Sequence, residues 1–398
     1  MRQRLKIRVQ RSSKPDMRAH HPTPGPLPSR GGGVPSTPHP RKSQIAVACK
    51  AMSLRASLVE KIKYNGPMTV AEYMAACLYD PEFGYYAAHP AIGGHGADFI
   101  TAPEASQMFG ELIGLWCAHE WAAMGKPALN LIELGPGRGV LMQDALRATA
   151  RIEGFHDALN VVFVEVSAPL RDEQAERVPS AEWAQRLEDA PPGPSIIIGN
   201  EFLDCLPIRQ FVRDEDGWRE KLVGLDDADQ LIFGLSNALP APDTDDEIGA
   251  VREIAPALPA IMYEIEQRLH DAPARALFID YGYVTPEGAD TLQALVKHTK
   301  IDPIEQPGEA DLTAHVDFAA VAKLAADAGL QVSGPAPQGY FLRALGIDVR
   351  AESLSQANPQ RAERIARELT RLTHPDQMGA LFKAICLSSP NLPPPAGF

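Results

Sequence analysis

The sequence predicts a parallel, doubly wound α/β sheet, preceded by helices and interrupted by an antiparallel insert. Three observations carry this. From residue 128 onward short apolar runs alternate with helical patterns, as in βαβ units. Runs such as "SIIIG" (195–199) are β-branched and unbroken by charge, as expected of strands buried on both faces. A turn with three glycines, Gly135, Gly137 and Gly139, joins the first run to its helix, where doubly wound sheets hold ligands.

Taken in order, residues 1–51 carry eleven Lys/Arg and one acid, Asp16. The stretch 12–44 is rich in Pro, Gly and Ser and has few large apolar side chains. Too little surface can be buried there, so 1–51 is expected to be a disordered basic tail. It reads as a dispensable extension ahead of Met52, or as a transit peptide from its Arg-rich start "MRQRLKIRVQR". Folded sequence begins at 53. Helical spacing covers 53–66 and 69–80, with Ser53 and Thr69 as caps and Glu72 completing a capping box. A glycine-bearing loop (81–106) follows, whose aromatics Phe83, Tyr85 and Tyr86 are expected to pack between the helices and the sheet. Ser106 caps a helix to 125.

Strands are then expected at 128–134, 160–167 and 194–204, with helices at 140–153 and 168–178. Residues 211–240 alternate apolar and polar positions around "DEDG" and "DDAD", an antiparallel meander inserted into the sheet domain. Helix 261–272, strand 275–283 and helix 316–329, closed by Gly329, resume the pattern. "LQVSG" and "QGYFLRALGI" suggest a terminal hairpin, and 359–385 a helical ending. The expected division is a tail (1–51), a helical region with a ligand-covering loop (52–126), and a sheet domain (127–210 and 261–350). An inserted lobe (211–260) and a C-terminal helical region (351–398) complete it.

Beyond residue 51 the chain holds 27 basic and 50 acidic residues. So acidic a body repels phosphate backbones and attracts basic proteins, which disfavours nucleic acid as substrate. No apolar run approaches the roughly 18 residues of a membrane span. Five scattered cysteines without a CxxC pair fit a reducing compartment, not a disulfide framework or zinc site. The histidines show no HExxH or paired spacing, so no metal is expected.

The glycine turn narrows the chemistry. Its pattern is E-x-G-x-G-x-G from Glu133, with the third glycine one residue too early for the dinucleotide fingerprint and no GK[ST] for a phosphate loop. Glu133 would repel a phosphate and suits an ammonium or a ribose hydroxyl. Glu165, ending the next strand 26 residues after Gly139, can accept from two ribose hydroxyls. A ligand with a ribose, a positive charge and no phosphate is S-adenosyl-L-methionine. "GNEFLD" (199–204) ends another strand at the same crevice, so Asn200, Glu201 and Asp204 can face the transferring methyl group. Transfer from a sulfonium rests largely on in-line positioning, and a guanidinium acceptor needs carboxylates to hold its planar head. Either Glu201 or Asp204 could instead cap a loop or helix, Asp204 the more readily.

The chain resembles the MidA family of S-adenosylmethionine-dependent methyltransferases from about residue 54 to 385. The blocks that carry the likeness include "MTVAEYMAACLYDPEFGYY", "GADFITAPEASQMFGELIGLW", "LIELGPGRGVLMQDALR", "VEVSAPLRDEQ", "GNEFLDCLPIRQF", "IDYGY", "ADTLQALVKH" and "PGEADLTAHVDF". The resemblance implies a class I, Rossmann-like methyltransferase fold with an inserted substrate lobe. It implies that Gly135, Gly137, Gly139 and Glu165 serve the cofactor, and that "DFITAPE" (98–104), with Thr101, folds over it. The family's mitochondrial member is a complex I assembly factor that methylates an arginine. The implied activity is therefore protein-arginine N-methylation of a complex I subunit or its bacterial counterpart. Ala105 and Val140 depart from the commoner Ile and Thr and remove no proposed ligand.

Methylation of another acceptor, or a non-catalytic assembly factor, are the rival readings. His315, Asp317 and Asp311 offer a metal or acid–base role, against Asp317 as a simple helix cap. Tyr281 and Tyr283 are either acceptor-pocket wall or core. High Ala, Arg and Pro usage points to a bacterial cytoplasm, with the mitochondrial matrix second.

Overall fold

Ser53 opens the first helix of the structure, a computed structural model that describes residues 53–88, 101–239, 246–286 and 288–398. The expected tail and residues 98–100 of the expected covering segment lie outside the described residues. Helix α1 (Leu54–Asn65) starts where Ser53 Oγ accepts the Ala56 N–H. After the short β1 (Met68–Thr69), helix α2 (Val70–Tyr79) carries the predicted capping box. The Thr69 N–H donates to Glu72 Oε2 at 2.8 Å, and the Glu72 N–H returns to Thr69 Oγ1 at 3.1 Å. Two single turns, α3 (Tyr85–Ala88) and α4 (Ala102–Ala105), precede the long α5 (Gln107–Ala123), which Ser106 caps.

The predicted alternation follows as β2 (Leu129–Leu134), α6 (Val140–Thr149), α7 (Phe155–Ala158), β3 (Leu159–Val164), α8 (Ala168–Arg177), β4 (Glu182–Ala184) and β5 (Ser195–Asn200). The meander is β6 (Arg209–Asp214), β7 (Gly217–Leu225), β8 (Leu231–Leu235) and β9 (Val251–Ile254). Then come α9 (Leu258–Asp271), β10 (Ala274–Tyr283), β11 (Gln293–Val296), β12 (Thr299–Ile301), β13 (Asp311–Thr313) and β14 (Val316–Asp317). The remainder is α10 (Phe318–Asp327), β15 (Gln331–Pro337), α11 (Gln338–Ala344), α12 (Ile347–Ala357), α13 (Ala362–Thr373) and β16 (Phe382–Ser388).

The central sheet runs β15-β16-β10-β5-β2-β3-β4, with β14 beside the end of β10. From β10 to β4 the strands are parallel, and β16 and β15 add an antiparallel edge. The chain moves from β2 outward through β3 to β4, then returns to β5 on the other side of β2. Strand order reverses between β2 and β5, so the ligand crevice is expected at their carboxyl ends. Successive strand residues feed opposite cores, as the pleat requires. Leu131 and Ile198 pack with Phe109, Trp116 and Phe341 on one face, while Ile132 and Ile197 pack with Ile265, Phe278 and Phe318 on the other. On the first face α5 lies close against α6: a Cβ on Gly114 would stand 2.5 Å from Ala145 Cα.

The meander forms its own sheet, β1-β7-β6-β9 with β8 on β7, and shares a third core (Leu58, Tyr73, Met74, Val223, Leu312) with α1 and α2.

Two expectations fail. The terminal hairpin does not form, because residues 338–344 are helix α11 and β15 pairs with β16 instead. Helix α13 stops at Thr373 and a π-helical turn covers Pro375–Gly379, but the helical ending goes no further, because residues 382–388 are a buried strand in the central sheet. "FKAICLS" is buried nearly throughout, and a short apolar run of that kind has no period to tell strand from helix. The small sheet β12-β11-β13 was not anticipated.

Candidate active site

At the end of β2 the chain reverses through three left-handed glycines, with φ of 59° at Gly135, 52° at Gly137 and 78° at Gly139. Other L-residues enter that region at about 1–2 kcal/mol each. Space is a second constraint at Gly135, where a Cβ would meet the Phe202 ring at 3.3 Å; at Gly137 nothing lies within 4 Å. The turn is held from outside. Gln174 Nε2 donates to the Gly137 carbonyl at 2.7 Å, and Arg138 bridges Glu173 on α8 (2.8 Å) and Glu104 on α4 (3.4 Å).

Over the carboxyl ends of β2, β3 and β5 lies a cavity of 370 Å³, within the roughly 300–1,000 Å³ of small-molecule sites. Of the nine predicted site residues, eight line it: Thr101, Glu133, Gly135, Gly137, Glu165, Asn200, Glu201 and Asp204. Gly139 stands one step back as the N-cap of α6, against Gln174.

Glu133 is 3 % exposed, and its Oε2 has no hydrogen-bond partner among the described residues. Burial alone pushes its carboxyl up to about 8. Glu165 is bound more tightly. Its Oε1 accepts the N–H groups of Val166 and Ser167 at 2.8 Å each, and its Oε2 accepts Gln174 Nε2 at 3.3 Å. A carboxylate has about four lone-pair sites, so Glu165 keeps room for one further donor. A second ribose hydroxyl would have to take the place of Gln174, whose Nε2 bonds the Gly137 carbonyl more closely.

The 200–204 segment is built differently from its expectation. Glu201 Oε1 accepts the Ala102 N–H at the start of α4 (3.0 Å) and Asn200 Nδ2 (3.1 Å). Glu201, not Asp204, is thus the residue that caps a helix. Its own φ is +49°, and burial, with Asp204 adding to it, pushes its carboxyl up to about 7. Asn200 Oδ1 is buried and has no partner among the described residues. Asp204 Oδ2 accepts the Tyr281 hydroxyl at 2.6 Å; burial raises its carboxyl to about 6 and the phenol opposes the rise. Behind the loop Asp280, fully buried, accepts the N–H groups of Phe202, Leu203 and Asp204 at 2.9–3.2 Å. Burial and the neighbouring Asp204 and Glu201 hold Asp280 well above the usual carboxylate range.

Sequence reasoning singled out Asp311 for a metal or acid–base role and missed the two tyrosines of the inner wall. Tyr79, Tyr86 and Asp311 line the cavity from α2, α3 and β13, with the two rings 5.5 Å apart. Tyr79 is 44 % accessible although protein surrounds it, because its ring faces the cavity. Tyr86 was expected as packing and is cavity wall as well. Burial holds both phenols well above their usual range, and the charges of Asp204 and Asp311 add to it. The signal available was only an aromatic cluster ahead of the sheet. Tyr281 stands behind Asp204, its ring edge-on to His315, and Asp317 Oδ1 caps α10 by accepting the Ala320 N–H at 2.9 Å.

Among the described residues seven carboxylates and two arginines line the cavity, and both arginines are paired with acids: Arg138 with Glu104 and Glu173, Arg186 with Glu188 and Glu264. Such a wall favours a cation. The unpartnered oxygens of Glu133 and Asn200 can accept from ammonium-like donors, Glu165 can accept a hydroxyl, and Val166, Leu187 and Ile261 form an apolar rim that suits a base. These residues fit S-adenosyl-L-methionine.

A doubly wound sheet with a glycine turn at its switch point is the architecture of nucleotide- and nucleoside-binding enzymes, and the relatives of this chain place it among the methyltransferases. Residues 112–336 match the family described as "Putative S-adenosyl-L-methionine-dependent methyltransferase", and the chain belongs to that family. S-adenosyl-L-methionine is its methyl donor. The chain is 36% identical, over 87% of its length and 89% of the relative's, to the protein arginine methyltransferase NDUFAF7, mitochondrial, of Xenopus laevis. The human protein of that name is also 36% identical, over 83% of this chain and 82% of that one. A crystal structure of a Burkholderia thailandensis protein bound to S-adenosyl-homocysteine is 28% identical and superposes with a TM-score of 0.74, covering 84% of this chain and 91% of that chain. No described helix is long and apolar enough to cross a membrane.

Proposed function

We propose that this enzyme methylates a guanidinium nitrogen of arginine in a protein substrate, and that a respiratory complex I subunit or its bacterial counterpart is that protein. The carrying observation is the inner end of the cavity, where the carboxylates of Asp204 and Asp311 stand with the rings of Tyr79 and Tyr86. A guanidinium is a planar cation with five donors, matched by carboxylates at its edge and aromatic faces above it. The relatives named as protein arginine methyltransferases support the same acceptor. The acidic balance of residues 52–398 suits a basic protein surface.

When bound, S-adenosyl-L-methionine supplies an electrophilic methyl carbon on a sulfonium. Glu133 accepts from its cationic end, Glu165 from one ribose hydroxyl, and Gly135 and Gly137 let the backbone approach. Gly139 starts α6, and Thr101 with α4 closes over the site, tied down by Glu201. Asn200 and Asp204 would orient the acceptor nitrogen in line with the methyl carbon that the donor would supply. The nitrogen then sheds a proton, and a carboxylate raised to about 6, as at Asp204, is a suitable first acceptor. Positioning supplies most of the rate.

Methyl-labelled donor added to a cell lysate, followed by mass spectrometry of the product, tests this reading. Label on an arginine of a protein is expected. Label on a small molecule would transfer the reading to another acceptor, and no transfer despite donor binding would favour a non-catalytic assembly factor. The reading places the enzyme in a bacterial cytoplasm; the curated relatives are named mitochondrial, and cell fractionation separates the two.

A further inference from the structure

A second cavity, of 290 Å³, lies behind the 202–208 loop. The loop is a partition. Phe202 and Cys205 line the first cavity, Leu203, Leu206 and Ile208 the second, and Asp204 lines both. Further apolar lining comes from Leu258 on α9 and Ala320 and Leu324 on α10. The lining continues onto the surface through Ile254, which is 55 % exposed.

The polar groups of this cavity are unbalanced. Asp204, Glu253 and Asp317 meet a single ammonium, Lys323, which is exposed and paired with Asp327 at 2.6 Å. His315 and Tyr283 complete the polar edge. Glu253 is fixed by Thr291 and Gln210, and Asp317 by capping α10, so neither acid can turn away. Their charges reach Tyr283 and add to the burial that raises its phenol.

We propose that this cavity docks an apolar side chain of the protein substrate close in sequence to the accepting arginine, with a basic residue beside it on the acidic rim. The inference rests on the protein-methylation reading above. Continuity through Asp204, which lines both cavities, supports it: residues i and i+2 of an extended segment lie about 7 Å apart on one face, so one substrate segment can present two side chains to neighbouring cavities. Charge complementarity supports the basic neighbour.

The test uses the full chain, methyl-labelled S-adenosyl-L-methionine and an array of short peptides with one central arginine, leucine and lysine being scanned through the flanks. The parent enzyme is expected to prefer leucine near the arginine. Ala320→Trp fills the cavity and should raise KM for those peptides about tenfold or more, the worth of burying one leucine, with kcat and donor affinity unchanged. Lys323→Glu should lower KM about threefold for lysine-flanked peptides and leave the others unmoved, a gain that a misfolded variant cannot mimic. An unchanged leucine preference in Ala320→Trp overturns the docking role while arginine methylation stands. If the parent binds donor but methylates no arginine peptide, the substrate reading falls and the docking proposal with it.

Discussion

Replacing Glu133 by Gln should make the unliganded enzyme more stable and a poorer binder of its methyl donor. The carboxyl is 3 % exposed, one oxygen has no partner among the described residues, and burial lifts it from 4.5 to about 8. A carboxyl that holds its proton more tightly in the folded than in the unfolded chain stabilises the fold fully below its unfolded value. That contribution is lost as pH rises toward the folded value, at about 1.4 kcal/mol per unit. At about pH 7 the burden is on the order of 3 kcal/mol, and Gln removes it while keeping the shape. Differential scanning fluorimetry of the apoprotein should therefore show a Tm several degrees above the parent at about pH 7. The difference should shrink to about a quarter of that near pH 5 and vanish below about pH 4. Calorimetry should show donor affinity reduced by roughly 10- to 100-fold, the worth of a charge-assisted hydrogen bond. An apoprotein Tm equal to or below the parent, together with unchanged affinity, would refute the assignment of Glu133 to the ligand.

Gly137→Val places a β-branched residue at φ 52° on the open side of the turn; donor affinity should fall by at least about tenfold, and calorimetry showing parent-like binding counts against the cofactor turn. Methyl transfer should rise from about pH 5 to 8 as Asp204, near 6, and Glu201, near 7, lose their protons. In Tyr281→Phe the phenol no longer favours the Asp204 carboxylate, so the acid limb of kcat/KM should move to higher pH; an unmoved limb argues that Asp204 does not titrate in catalysis. Asp280→Ala strands three loop N–H groups, two of them buried and each of those worth about 1–3 kcal/mol, and urea denaturation should show a clearly lower midpoint; an unchanged one would show that the loop is held by other means.

Local pattern made the β2 and β3 side of the cavity legible. Glu133, the glycines and Glu165 sit at strand ends, and a strand followed by a helix dictates where such an end points. The opposite wall was legible at 200–204 and, without its place, at Asp311; Tyr79 and Tyr86 arrive from α2 and α3, far along the chain, and no periodicity announces that meeting. Glu201 and Asp204 were separated on the wrong side of the capping question. The N–H that needed a partner belongs to Ala102, about a hundred residues earlier. Strand β16 read as helix because its partner β10 also lies a hundred residues back, and only that pairing explains its unbroken burial.

Glu133, Glu201 and Asp204 are each raised by burial within one cavity, a burden that a purely structural core would shed by substitution. A cation reverses it. On the proposed reading the donor arrives with a sulfonium and leaves as a neutral thioether, so the wall's hold weakens in the step that makes product. S-adenosyl-L-methionine should therefore bind more tightly than S-adenosyl-homocysteine at about pH 8, where the carboxylates are charged. The advantage should fade toward pH 5, where they are protonated; an order of magnitude in affinity corresponds to about 1.4 kcal/mol. Calorimetric titration of both ligands across that range decides the point. Equal affinities at pH 8, or a difference that ignores pH, would mean that the buried acids do not sense the sulfonium charge.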